Sequence, residues 1–304
     1  MGQATAVVAG SVVLALATAL PHAQTSQRPS ARRTQQVYVS VLDRDNKPVA
    51  NLGPADFVVR EDNVAREVLS ATPATEPLTI AVTVDDSQSA THAIQFFRDG
   101  LTNFVKKLDG KGEIALSTVG DRPTPLVEYT TSTAQLQKGI GRLFSRPGSG
   151  AYLLEALVEL SKGLEKRTVP EGEASPRRAI VVLTMESGPE FSNLHYERVL
   201  DALKKSGATL HVLAIGNPAL SDTDEMKNRN IVIAEGTSLT GGRRDQILAE
   251  SGISDRLSQL ADELMNQYLV TYSRPETLIP PEKLDVSVSK PGLTVRAPKR
   301  TAAR

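Results

Sequence analysis

The sequence predicts an α/β protein: a doubly wound, mostly parallel sheet, with a small β module built from the N- and C-terminal segments. Three observations lead there. Short apolar runs rich in Val and Ile, at 78–84, 114–119, 178–184 and 209–216, read as buried strands. Between them stand stripes at helical spacing: Ile94, Phe97, Leu101, Phe104 and Leu108, then Leu153, Leu157, Leu160 and Leu164, then Tyr196, Val199, Leu200 and Leu203. Such alternation marks a parallel sheet covered on both faces. The flanking segments lack helical period and read as strands, so they are expected to pair with each other.

Taken in order, residues 1–23 read as a signal peptide, an almost unbroken small-apolar stretch from Ala4 to Leu20 followed by Pro21-His-Ala. The stretch is short for a membrane span, about 17 residues against about 20. Residues 24–35 carry no apolar period and read as a disordered leader. Structure is expected from Gln36, where Val37, Val39 and Val41 alternate with Tyr38 and Ser40 before a turn at 43–48. Residues 56–69 form a hairpin turning at Asp62-Asn63. The segment 36–76 thus reads as a three-strand meander that must pack on something else.

The α/β domain is expected over 77–267, with 125–129 as an antiparallel edge strand. Residues 217–252 show only a short apolar run at 231–234 and a turn at Gly241-Gly-Arg-Arg244, so they read as a long irregular loop. Arg243 and Arg244 are expected in a solvated turn. The last helix opens at Ser254, with Leu257, Leu260, Leu264 and Tyr268 on one face. Strands over 268–298 return to the N-terminal segment, and 299–304 is a tail.

Composition narrows the function. Lys+Arg and Asp+Glu stand at 35 each, so no net field favours nucleic acid or an anionic membrane. Trp is absent and aromatics are 4%, which argues against stacking platforms for bases or sugars. The chain has no cysteine, which excludes disulfides, thiolate metal sites and cysteine nucleophiles. Walker, dinucleotide and His-Glu-x-x-His motifs do not occur.

The informative stretch is the end of the 78–84 run, Asp85-Asp-Ser87-Gln-Ser89. In an open parallel sheet the carboxyl ends of the strands are where ligands bind. A carboxylate and two hydroxyls on one turn suit a hard divalent cation, which takes oxygen ligands and keeps several waters. The plain structural reading stands beside it: the same three side chains fix a strand-to-helix turn. A hydrolase using Ser87 is a further alternative, since His92 and His195 begin helices at the same end of the sheet. No Gly-x-Ser-x-Gly elbow supports it. His211 falls inside a buried run and reads as a core residue.

These residues resemble the von Willebrand factor A family, and more narrowly its secreted bacterial members that carry a short β segment before the domain. The resemblance rests on Asp43-Arg-Asp-Asn-Lys-Pro-Val, Asp56-Phe-Val-Val-Arg-Glu-Asp, Asp85-x-Ser87-x-Ser89, Gly150-Ala-Tyr-Leu-Leu-Glu-Ala-Leu157 and Gln267-Tyr-Leu-Val-Thr-Tyr272. It implies a metal-ion-dependent adhesion site, holding Mg2+ or Mn2+ through Ser87 and Ser89 directly and Asp85 through water. The family's threonine falls on Ala151 and its second aspartate on Met185, so Ser149, Tyr152 or Glu186 would have to substitute. The expected function is an exported, non-enzymatic protein-binding or adhesion module, periplasmic or secreted, with a partner carboxylate filling the vacant position. A metal-independent interaction scaffold is the alternative.

Overall fold

The computed structural model describes residues 1–2, 32–167, 176–217, 223–275 and 279–299. Of the expected export segment only Met1 and Gly2 are among them, and leader residues 24–31 and tail residues 300–304 lie outside.

The first strand, β1 (Arg32–Leu42), begins four residues before the expected start. Arg32 to Gln35 pair antiparallel with Pro275 to Tyr272. Main-chain hydrogen bonds supply that pairing, and they leave no apolar signature in the sequence. A turn follows in which Asp43 Oδ1 accepts from the amides of Asp45 and Lys47 at 2.8 and 2.9 Å. Then come β2 (Phe57–Glu61), β3 (Val64–Arg66) and β4 (Val68–Pro73), with Asp62 and Asn63 both at positive φ in the connecting hairpin. They do not form the expected three-strand meander. The chain switches sheets between Arg66 and Val68, so β1 and β4 belong to one sheet and β2 and β3 to another.

The α/β part runs through β5 (Leu78–Val84), α1 (Ile94–Lys107), β6 (Gly112–Thr118), β7 (Thr124–Thr130), α2 (Thr133–Ile140), α3 (Leu153–Glu165), β8 (Arg177–Met185), α4 (Tyr196–Ser206) and β9 (Thr209–Ile215). It continues through α5 (Asp224–Thr240), β10 (Arg244–Ile247) and α6 (Ile253–Met265). The six strands lie in the order β10-β9-β8-β5-β6-β7, all parallel except the edge strand β7. Strand residues alternate between two cores: Ile80, Val82, Val181 and Leu183 face α1, α2 and α6, whereas Ala81, Ile180 and Val182 face α3, α4 and α5. Strand order reverses between β5 and β8, and the carboxyl ends of strands at such a switch point are where open α/β sheets bind ligands.

The expected irregular loop over 217–252 is instead a 17-residue helix, α5, followed by a parallel strand, β10. The helix carries no apolar stripe because it buries Arg229, Gly236, Thr237 and Thr240 beside Val232 and Ile233. Its two buried threonines bond back to the carbonyls of Ile233 and Gly236. Arg243 is likewise not in a solvated turn: it is buried, bonded to Asp245 at 2.7 Å and to Glu263 at 3.3 Å. Tyr268 leaves the face of α6 and opens a strand.

That strand is β11 (Tyr268–Pro275), followed by β12 (Leu284–Val288) and β13 (Thr294–Arg296). The sheets β13-β1-β11-β4 and β12-β2-β3 enclose one core of Val39, Val41, Phe57, Val59, Tyr268, Val270 and Tyr272. The two ends of the chain thus build one β module with the α/β part inserted between β4 and β11. Glu61 is fully buried and ties the two sheets together, accepting from Tyr272 Oη at 2.8 Å, Arg274 Nε at 2.7 Å and Arg66 Nε at 2.9 Å. Arg296 of β13 reaches Glu263 of α6 at 2.7 Å, joining the module to the α/β part. His211 is a core residue, with Nε2 at 3.0 Å from Thr209 Oγ1, and burial pushes its imidazole down to about 4. No described helix is long and apolar enough to cross a membrane.

Candidate functional site

The end of β5 carries three acidic or hydroxyl side chains inward in succession. Asp85, Asp86 and Ser87 are all buried, and Ser89 is half-buried. Asp85 is held by donors from two strand ends. Its Oδ1 accepts from the Ser87 amide at 3.0 Å, and its Oδ2 from the Met185 amide at 3.1 Å. The Ser87 hydroxyl is completely buried and has no hydrogen-bond partner among the described residues. Such a group costs about 1–3 kcal/mol unless something satisfies it. Ser89 lies under the loop that follows β8: a Cβ on Gly188 would stand 3.0 Å from its Oγ, a tight contact that a larger residue would relieve only by shifting Ser89.

Two other carboxylates of this face, Asp86 and Glu186, each meet a guanidinium. Asp86 accepts from the Gly120 amide at 2.6 Å through Oδ1 and from Arg146 Nε at 2.8 Å through Oδ2, tying the loops after β6 and α2 to β5. Glu186 is buried and paired with Arg244 at 2.9 Å. Glu190 takes the amides of Leu153 at 3.0 Å and Ser192 at 3.3 Å on Oε1, with the Ser192 hydroxyl on the same oxygen. Its Oε2 is buried without a hydrogen-bond partner among the described residues. Burial pushes this carboxyl up to about 7, against the pull of the Ser192 hydroxyl and the Arg229 charge.

Of the expected ligand oxygens, Asp85, Ser87 and Ser89 sit together on one turn. Ser149 is buried nearby, its carbonyl taking the Gln88 amide at 3.4 Å, but its hydroxyl donates to the Arg146 carbonyl at 2.8 Å. Glu186 is committed to Arg244. Ala151 exchanges main-chain bonds with the β8 loop, its amide to Pro189 at 3.0 Å and its carbonyl from Phe191 at 2.8 Å. Tyr152 turns its ring edge-on to Phe191, with centroids 6.0 Å apart. Of the candidate substitute ligands, the Ser149 hydroxyl and the Glu186 carboxylate are thus both engaged by partners within the chain. Among the described residues no imidazole is hydrogen-bonded to Ser87, and His195 Nδ1 lies 3.6 Å from Glu197. Phe144, Phe191 and Leu248, on loops at this end of the sheet, are exposed.

A family model, the von Willebrand factor type A domain, matches residues 79–239, more than half the chain. This chain belongs to that family. Von Willebrand A domains commonly mediate protein interaction and adhesion. Among solved structures, the chain is similar to a von Willebrand factor type A protein from Catenulispora acidiphila, at 12% identity and TM-score 0.47 over 92% of this chain and 75% of that one. It is similar to the von Willebrand domain of the type V pili tip protein Mfa5 from Porphyromonas gingivalis, at 13% identity and TM-score 0.44, over 62% and 95% respectively. A third is proximal thread matrix protein 1 of the mussel byssus with a zinc-occupied adhesion motif, at 14% identity and TM-score 0.47, over 67% and 49%. No curated protein matches the chain.

Three residues of this face have no counterpart in the sequence reading. Arg146, Arg229 and Glu190 sit on loops or on an unstriped helix, and no local pattern connects them to Asp85. The only signal in the sequence is an arginine, Arg229, among the residues of a segment that folds against the core.

Proposed function

We propose that the chain is an exported protein-recognition module of the secreted bacterial branch of its family, binding a protein partner at the carboxyl end of the sheet without needing a metal ion. The observation that supports this best is the pairing of Asp86 with Arg146 and of Glu186 with Arg244. The charges of these two carboxylates are balanced by the chain itself, and the substitute ligand Glu186 is taken. Exposed Phe144, Phe191 and Leu248 add the apolar surface typical of protein contacts.

The buried, unpartnered Ser87 hydroxyl favours a second reading. Here Ser87 and Ser89 would hold Mg2+ or Mn2+ directly and Asp85 through water. The ion would supply an electrophilic contact for a carboxylate of the partner.

Two experiments test these readings. In thermal unfolding of the chain from Arg32 onward, magnesium or manganese up to millimolar levels is expected to leave the midpoint where excess EDTA leaves it; a chelator-sensitive rise establishes the second reading. A photo-cross-linking residue placed at the exposed Gln88 is expected to trap a protein in the native envelope, and one at exposed Lys47 of the β module is not. Equal trapping from both positions, or none from Gln88, overturns the assignment of this face.

A further inference from the structure

Arg229 is the largest fully buried side chain among the described residues, and it projects from the first turns of α5 beneath the loop that follows β8. Its guanidinium donates to three main-chain carbonyls of that loop: Met185 at 3.3 Å, Gly188 at 3.3 Å and Glu186 at 3.1 Å. The Asn230 side chain takes the remaining Nε donor at 3.3 Å. Three converging carbonyls form a cradle for a positive charge, and the planar fork of a guanidinium can serve several acceptors at once. Glu190 lies within reach of the same charge.

We propose that Arg229 is the positioning residue of the recognition face: a built-in cation that shapes the loop 185–192, and through it the loop at 149–153, so that the face is preformed before any ligand arrives. This deepens the metal-independent reading above and rests on it. The transmission runs through bonds already described. With the carbonyls of 185–188 fixed, Gly188 is seated on Ser89, Pro189 receives the Ala151 amide, Phe191 donates to the Ala151 carbonyl, and Glu190 caps the start of α3 at Leu153. Residues contacting the strand-end serines and the exposed Phe191 thus take their places from a side chain that itself touches no partner. A lysine at 229 would carry its three donors on one nitrogen, in place of the two guanidinium nitrogens that reach Met185 and Gly188 on one side and Glu186 on the other.

The test is amide hydrogen exchange, resolved by residue, on the chain from Arg32 onward. In wild type, the amides of Ala151, Leu153, Phe191 and Ser192 are expected to exchange at the same rate in excess EDTA as in 10 mM magnesium or manganese. In Arg229→Lys they are expected to exchange at least tenfold faster, in either medium, while amides of β8 and β9 keep their wild-type rates. Faster exchange of the wild-type loop on chelation overturns the proposal, and so does an Arg229→Lys loop that is as protected as wild type. The wild-type comparison decides even where the variant does not fold. Because the readout uses no partner, a chain that shows this pattern yet traps no protein from Gln88 refutes the recognition reading and leaves the role of Arg229 standing.

Discussion

Glu190 makes the stability of the domain depend on pH in a direction opposite to most carboxylates. Its carboxyl titrates near 4.5 in the unfolded chain and about 7 in the folded one, chiefly because burial disfavours the charge. Between those values the folded state holds a proton that the unfolded state has released. Stability is therefore full below about pH 4.5 and declines as pH rises through 7, by about 3 kcal/mol in all at about 1.4 kcal/mol per pH unit. Roughly 2 kcal/mol of this falls between pH 5 and pH 8. His211 acts in the other sense, since a neutral buried imidazole near 4 loses stability as pH falls from about 6.5. The two slopes oppose each other near pH 5–6, so the wild-type profile alone conceals both. Glu190→Gln separates them. Glutamine keeps an acceptor for the Leu153 and Ser192 amides and never ionises. Urea unfolding of both proteins from pH 5 to 8 is expected to show the variant gaining on wild type by about 2 kcal/mol across the range. A difference between the two that stays constant with pH refutes the reasoning, because it means that Glu190 does not titrate in this window in the folded chain.

Two further outcomes concern the β module. Removing the half-buried partner in Arg296→Ala leaves the buried Glu263 with Arg243 alone at 3.3 Å, and thermal or urea unfolding is expected to show a loss of about 2 kcal/mol. Tyr272→Phe deletes the hydroxyl donated to Glu61 and leaves the two arginines in place, so a smaller loss of about 1 kcal/mol is expected in the same assay.

What the sequence made legible follows from which forces leave a local pattern. The parallel strands were readable because both of their faces are buried, so that 78–84 and 178–184 are apolar at most positions on both faces. Helices α1, α3, α4 and α6 were readable because each buries one stripe. Helix α5 was not, because its buried surface includes a guanidinium and two threonine hydroxyls, and period analysis counts only apolar side chains. The strand at Arg32–Gln35 was missed for a related reason: main-chain pairing holds it, and main-chain pairing is indifferent to side-chain type. At the site, the turn Asp85-x-Ser87-x-Ser89 lies within five consecutive residues and announced itself. Arg146, which bonds Asp86 in that turn, and Arg229 and Glu190, which hold the loops beside it, come from more than fifty residues away, and only the fold brings them together.

The pairing of β1 with both β11 and β13 has a mechanical consequence. The α/β part leaves the β module after β4 and rejoins it at β11, and these two strands are hydrogen-bonded neighbours, with the Ala74 amide on the Gln267 carbonyl at 2.8 Å. A pull applied between Arg32 and Arg296 is borne by the ladders that β1 shares with β11 and β13. The face proposed for recognition lies off that line of force. As long as those ladders hold, tension along the chain passes through the base of the molecule and leaves the grip at its far end undisturbed.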